Sequence, residues 1–134
     1  MKRTIAVAVL GMLALAGLNR AIAAQQKEEP IEPRILAYDK GLDKINVSKY
    51  PADMQNKYKV FAKKCANCHT IARAINSEFA TDDEWERYVK RMMRKAGTLI
   101  SADEGKQIFE FLVYDSKTRK KALYDKKMAE APKY

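Results

Sequence analysis

Cys65-Ala66-Asn67-Cys68-His69 uses both cysteines and the only histidine of a 134-residue chain. Two thiols three positions apart near a helix end can face one ligand edge together, and a histidine directly after them comes beneath whatever they hold. That spacing is the attachment pattern of haem c, with thioethers from Cys65 and Cys68 to the porphyrin vinyl groups and His69 as proximal iron ligand. Two cysteines cannot build a multi-disulfide framework, and one histidine excludes the multi-His centres of most catalytic zinc sites. A structural zinc cage lacks its fourth member here, and a thiol redox motif should accompany a βαβ pattern that is nowhere readable. The expected cofactor is therefore one haem c per chain, covalently attached through Cys65 and Cys68.

With a single histidine, bis-His ligation within one chain is impossible, and the soft thioether of methionine is the natural sixth ligand. Met1 and Met12 lie in the leader, Met128 in a basic tail and Met54 on the helix before the motif, which leaves Met92 and Met93. On a helical wheel with Trp85 at 0°, Met92 falls at about −20° and Met93 at about 80°, so Met92 is central to the apolar face. Met92 is the expected ligand; Met93, or an iron that is vacant, Lys-bound or water-bound, are the alternatives. Iron binding thus falls to His69 and Met92. Trp85 covers a haem edge or is a plain core residue, and Arg73 pairs with a propionate or is a surface charge.

The N-terminus reads as an export signal. Lys2 and Arg3 precede Ile5 to Leu18, a charge-free run of 14 residues, and Ala21-Ile22-Ala23 offers a small-x-small cleavage site. As a helix the run spans about 21 Å, short of the ~30 Å hydrocarbon core. Residues 1–23 are expected to be cleaved, with the mature chain in the periplasm; an uncleaved anchor is the alternative. Lys2, Arg3 and Arg20 leave with the signal and no acid does, so the formal charge falls from +9 to +6.

Residues 24–50 hold Pro30, Pro33, Gly41 and scattered charges without sustained periodicity, and read as an N-terminal tether that packs in part through Ile45, Val47 and Tyr50. From Pro51, which suits a first helical position, Met54, Tyr58, Phe61, Ala62 and Cys65 fall at helical spacing, so a helix is predicted over 52–65. Residues 70–80 read as a loop. Thr81-Asp82-Asp83-Glu84 is a capping box that opens a second helix with Trp85, Tyr88, Val89, Met92 and Ala96 inward, closed by Gly97 as a left-handed cap. Ser101 to Glu104 is a second box, opening a third helix with Ile108, Phe111, Leu112 and Tyr114 inward. No stretch calls for a strand. A haem domain over 51–116 is followed by a basic extension, 117–134, read as a solvated or frayed helix that can also serve as a docking patch.

This order of a helix, Cys-x-x-Cys-His, a loop, a methionine-bearing helix and a closing helix ending Phe-Leu-x-Tyr resembles the class I c-type cytochromes. Lys49-Tyr50-Pro51, Cys65 to His69, Ala72-Arg73, Trp85 to Met92 and Phe111 to Asp115 are more specifically similar to the haem domain of the reaction-centre cytochrome c of green sulfur bacteria, over about residues 46–121. The resemblance implies an all-α, class I cytochrome c-like fold, three main helices wrapped around one covalently attached haem. Many class I cytochromes orient the proximal histidine with a proline carbonyl soon after the motif. No proline lies between residues 70 and 131 here, and that partner of His69 stays open.

The expected function is one-electron transfer by an exported monohaem cytochrome between larger redox partners. No acid/base pair, nucleophile-base pair or second metal site is readable near the motif, so the chain reads as a carrier and not an enzyme. Expected partners are redox proteins with acidic docking faces, membrane electron-transfer complexes among them, met transiently by a monomer and steered by Lys90, Arg91, Arg94, Lys95 and the tail. Nucleic acid is not an expected partner of an exported haem protein. The competing readings are a haem-based ligand sensor or minor peroxidase with an open sixth position, and a membrane-anchored cytochrome subunit of an oxidoreductase complex.

Overall fold

Reciprocal capping sets the two sharpest helix starts. Thr81 Oγ1 accepts from the Glu84 N–H while the Glu84 carboxylate accepts from the Thr81 N–H, and Ser101 and Glu104 repeat the exchange. Each box supplies partners for two N–H groups that the entry to a helix otherwise leaves to water. The structure, a computed structural model, describes residues 30–131. The predicted signal peptide of residues 1–23 lies outside the described residues. No helix among those described is long and apolar enough to cross a membrane.

The described chain is all-α, with no strand. Its helices are α1 (Pro33–Asp39), α2 (Ala52–Cys65), α3 (Ala72–Ile75), α4 (Asp82–Ala96), a 3-10 turn (Gly97–Leu99), α5 (Ala102–Thr118) and α6 (Lys121–Glu130). Helix α5 is the centre, packing against α2 on one side and α4 on another. The core joins Phe61 of α2, Ile75 of α3, Trp85, Tyr88 and Val89 of α4, and Ile108, Phe111 and Leu112 of α5. Phe61 and Phe111 stack at 5.5 Å, and Tyr58 tilts onto Phe111 at 5.3 Å. Phe79 and Tyr88 each meet the Trp85 ring edge to face. Burying each such ring contributes about 1.5–3 kcal/mol.

Four local expectations are corrected. The described part of the expected tether, residues 30–50, contains a helix: Pro33 opens α1, because its fixed φ and missing N–H suit a first helical turn. Ile45 is buried, with Val47 and Tyr50 packed beside it as the sequence suggests. The segment 70–80 contains the single turn α3, whose Ala72, Ala74 and Ile75 are buried. Pro51 is the N-cap of α2 and not its first helical residue, since its ψ of 150° is extended. Gly97 has the expected positive φ of 59°, but its ψ of −122° lies outside the left-handed helical well, and a 3-10 turn follows.

Trp85, 1% exposed, is a core residue whose indole N–H donates to Ser116 Oγ at 2.7 Å, so the alternative of a haem-edge cover is set aside. Tyr114 is half-buried and meets Tyr50 edge to face. The basic extension is helical, as expected, but it is not simply solvated, because several of its cations turn inward.

Candidate functional site

Cys65 ends α2, Ala66 to Cys68 form the turn after it, and His69 leads toward α3. The two cysteines are unbonded. Cys65 packs half-buried against the core and Cys68 is exposed, so the pair runs from the core edge to the surface. Burial, and then the neighbouring Cys68, push the Cys65 thiol up to about 12. That is opposite to the lowered thiol pKa of a disulfide-exchanging motif.

His69 Nδ1 lies 3.0 Å from the Thr70 carbonyl oxygen. With its proton on Nδ1 the ring donates to that carbonyl, and Nε2 keeps its lone pair for a metal. In that tautomer the ring's partner is the backbone of the very next residue. Among the described residues no three His, Cys, Asp or Glu side chains converge into a metal cage.

Helix α4 passes the motif through Tyr88. Burial pushes the Tyr88 phenol up, and Cys65 is next among the groups that do so. Met92 follows one turn later, half-buried against the same core as Cys65. Met93 packs against that core as well, and it also lines a cleft of about 240 Å³ with Val89, Gly105 and Phe109. A Cβ at Gly105 would overlap the Met93 sulfur, so Met93 is a packing residue of the α4–α5 contact.

Arg73 is committed to a protein carboxylate. Its Nε and terminal nitrogen donate to the two oxygens of Asp39 at 2.9 and 2.6 Å, and this pair holds the Asp39 carboxyl below its ordinary value. Arg73 is therefore not a plain surface charge, since its fork is held by a carboxylate that, like it, is about three-quarters buried. Asn76 completes this fastening, donating to the carbonyls of Tyr38, Leu42 and Ala72 and accepting from the Leu42 N–H. Sequence reasoning missed Asp39 and Asn76 because their partners are more than 30 residues away. Pro33 was the readable signal for the helix that carries Asp39.

Of the cations expected to steer partners, Lys90 pairs with Glu86 at 2.6 Å and Arg91 stands over the Tyr88 ring, while Arg94 and Lys95 are exposed. Compared with known proteins, the chain matches no family model, no curated protein and no solved structure.

The donor set fits a covalently held haem. Two unpaired thiols flank one helical turn, an imidazole with one nitrogen beside a backbone carbonyl follows, and the next long helix carries a methionine packed against the same core.

Proposed function

We propose that the chain is an exported monohaem c-type cytochrome of the class I kind, a one-electron carrier between larger redox proteins. The observation that carries the reading is the motif's geometry: two free thiols at the end of α2 beside a histidine whose Nδ1 is turned to the Thr70 carbonyl. Cys65 and Cys68 would hold the porphyrin as thioethers, and His69 Nε2 and Met92 would hold the iron. Haem bound there supplies a one-electron Fe(III)/Fe(II) couple, with methionine ligation favouring the reduced state.

The rest of the task belongs to the chain. The Thr70 carbonyl fixes the imidazole plane, and the aromatic core behind Cys65 keeps water from one side of the site. Exposed Arg94 and Lys95 present positive charge in the last turn of α4, complementary to an acidic docking face that binds briefly and releases.

The test is the optical spectrum of the purified, haem-loaded protein, oxidised and reduced, for wild type, Met92→Ala and Cys65→Ala/Cys68→Ala. Haem that stays attached after denaturation only when the cysteines are present supports covalent attachment. A weak far-red sulfur-to-iron band that disappears in Met92→Ala, together with no carbon monoxide binding by the reduced wild type, supports a closed electron carrier. Ready carbon monoxide binding by wild type would replace the carrier reading with a ligand-binding one.

A further inference from the structure

Three cations near the C-terminus, Arg119, Lys120 and Lys127, converge on one short segment. Between α3 and α4 the chain runs through Asn76 to Thr81 with no regular structure, so its carbonyls have no ladder to satisfy them. The C-terminal side of the molecule supplies the donors. Lys120 Nζ donates to the Ser77 and Phe79 carbonyls at 2.8 and 3.2 Å, Lys127 Nζ to the Glu78 carbonyl at 2.6 Å, and Arg119 to the Ile75 carbonyl at 3.4 Å.

Lys127 also closes on Glu84, Nζ to Oε1 at 2.5 Å, with both side chains about three-quarters buried. The other oxygen of Glu84 accepts from the Ala80 and Thr81 N–H groups, so one carboxylate caps α4 and anchors the tail at once. Lys120 further stands 5.4 Å from the Trp85 ring centroid. None of the residues of α6 is fully buried, so the Lys127 ties add to the partial packing of Leu123 and Tyr124 in holding that helix.

We propose that Lys120 and Lys127 are positioning residues for Met92: they fasten the segment that joins His69 to α4, and so set where that helix holds its methionine. The inference rests on the cytochrome reading. Helix α4 is pinned at its start by the Glu84 and Lys127 pair, in its first turn by Trp85 on Ser116, and near its end by Met93 on Gly105. Lys117 on Asp82 is a further tie from the C-terminal extension, with both side chains about half-exposed, and the Glu84 and Lys127 pair is the buried one. Releasing it frees the start of a helix whose Met92 lies about 12 Å further along the axis.

The experiment compares full-length, haem-loaded wild type with Lys127→Met, Lys120→Met and Lys127→Arg. It reads covalent haem, the far-red band, carbon monoxide binding by the reduced protein, and amide exchange at Ala80 and Thr81. Both Met variants should keep covalent haem, lose part of the band, and bind carbon monoxide about tenfold more readily, the effect of losing one charge-assisted hydrogen bond from the ligated state. Exchange at Ala80 and Thr81 should rise by a similar factor in Lys127→Met, and Lys127→Arg should restore all three. Should Lys127→Met not fold, Glu84→Gln removes the same charge pair while keeping an oxygen for the capping box. A wild-type band and carbon monoxide resistance in the folded variants overturn the positioning role alone. A wild type without covalent haem overturns the cytochrome reading as well, and is visible before any variant is made.

Discussion

The Met93 side chain rests on Gly105, occupying the place where any other residue type at position 105 would put its Cβ. That contact makes Met93 a packing residue of the α4–α5 interface. Met93→Ala is expected to cost about 2 kcal/mol in chemical denaturation, the low end for a truncated methionine because the side chain is only half-buried. It should leave the far-red band of the haem-loaded protein unchanged, whereas Met92→Ala removes it. Gly105→Ala should change stability by less than about 1 kcal/mol, since Met93 can shift into the adjoining cleft and alanine favours the helix.

Glu84 couples acidity to stability. Burial alone would raise its carboxyl, but the hydrogen bond from Lys127 and those from the Ala80 and Thr81 N–H groups outweigh that, holding it down at about 2 against an ordinary 4.5. A carboxyl depressed in the folded state contributes stability that is fully present above about pH 4.5 and is lost as pH falls toward 2. Urea denaturation at a series of pH values should show wild type losing stability across that window. The slope should be visibly flatter in Glu84→Gln.

The N-terminal helix is fastened by side chains more than by burial. Arg73→Ala should cost about 1–2 kcal/mol and open residues 33–45 to limited proteolysis while leaving α2, α4 and α5 protected. Gly41→Ala should cost about 1–3 kcal/mol by a different route. Its Cβ would overlap the Asn76 amide, which cannot yield without giving up its hydrogen bonds to Tyr38, Leu42 and Ala72.

Local chemistry was legible and long-range chemistry was not. Thr81 with Glu84 and Ser101 with Glu104 announce helix starts within four residues, and the periodicity of Phe61 and Cys65 or of Trp85, Tyr88 and Val89 gives the buried faces directly. The motif itself is legible for the same reason, being five consecutive residues. Arg73 on Asp39 and Lys127 on Glu84 span 34 and 43 residues, and nothing in the spacing of a lysine-rich tail says which cation turns inward. Residues 72–75 escaped notice because one helical turn is too short to display a period.

Trp85→Phe should cost about 1–2 kcal/mol in chemical denaturation. The ring still fills the core, but the fully buried Ser116 hydroxyl loses its indole donor. Trp85→Phe/Ser116→Ala should recover part of that loss, because no polar atom is then left without a partner.

Both ends of the described chain close on the same stretch. Asp39, Tyr38 and Leu42 hold Arg73 and Asn76 from one side, and Arg119, Lys120 and Lys127 hold residues 75 to 79 from the other. A segment that looks like a connector by its secondary structure therefore cannot open by itself. Its release requires the early and late parts of the sequence to let go together, so its slowest-exchanging amides should report the cooperative unfolding of the whole domain rather than the breathing of a loop.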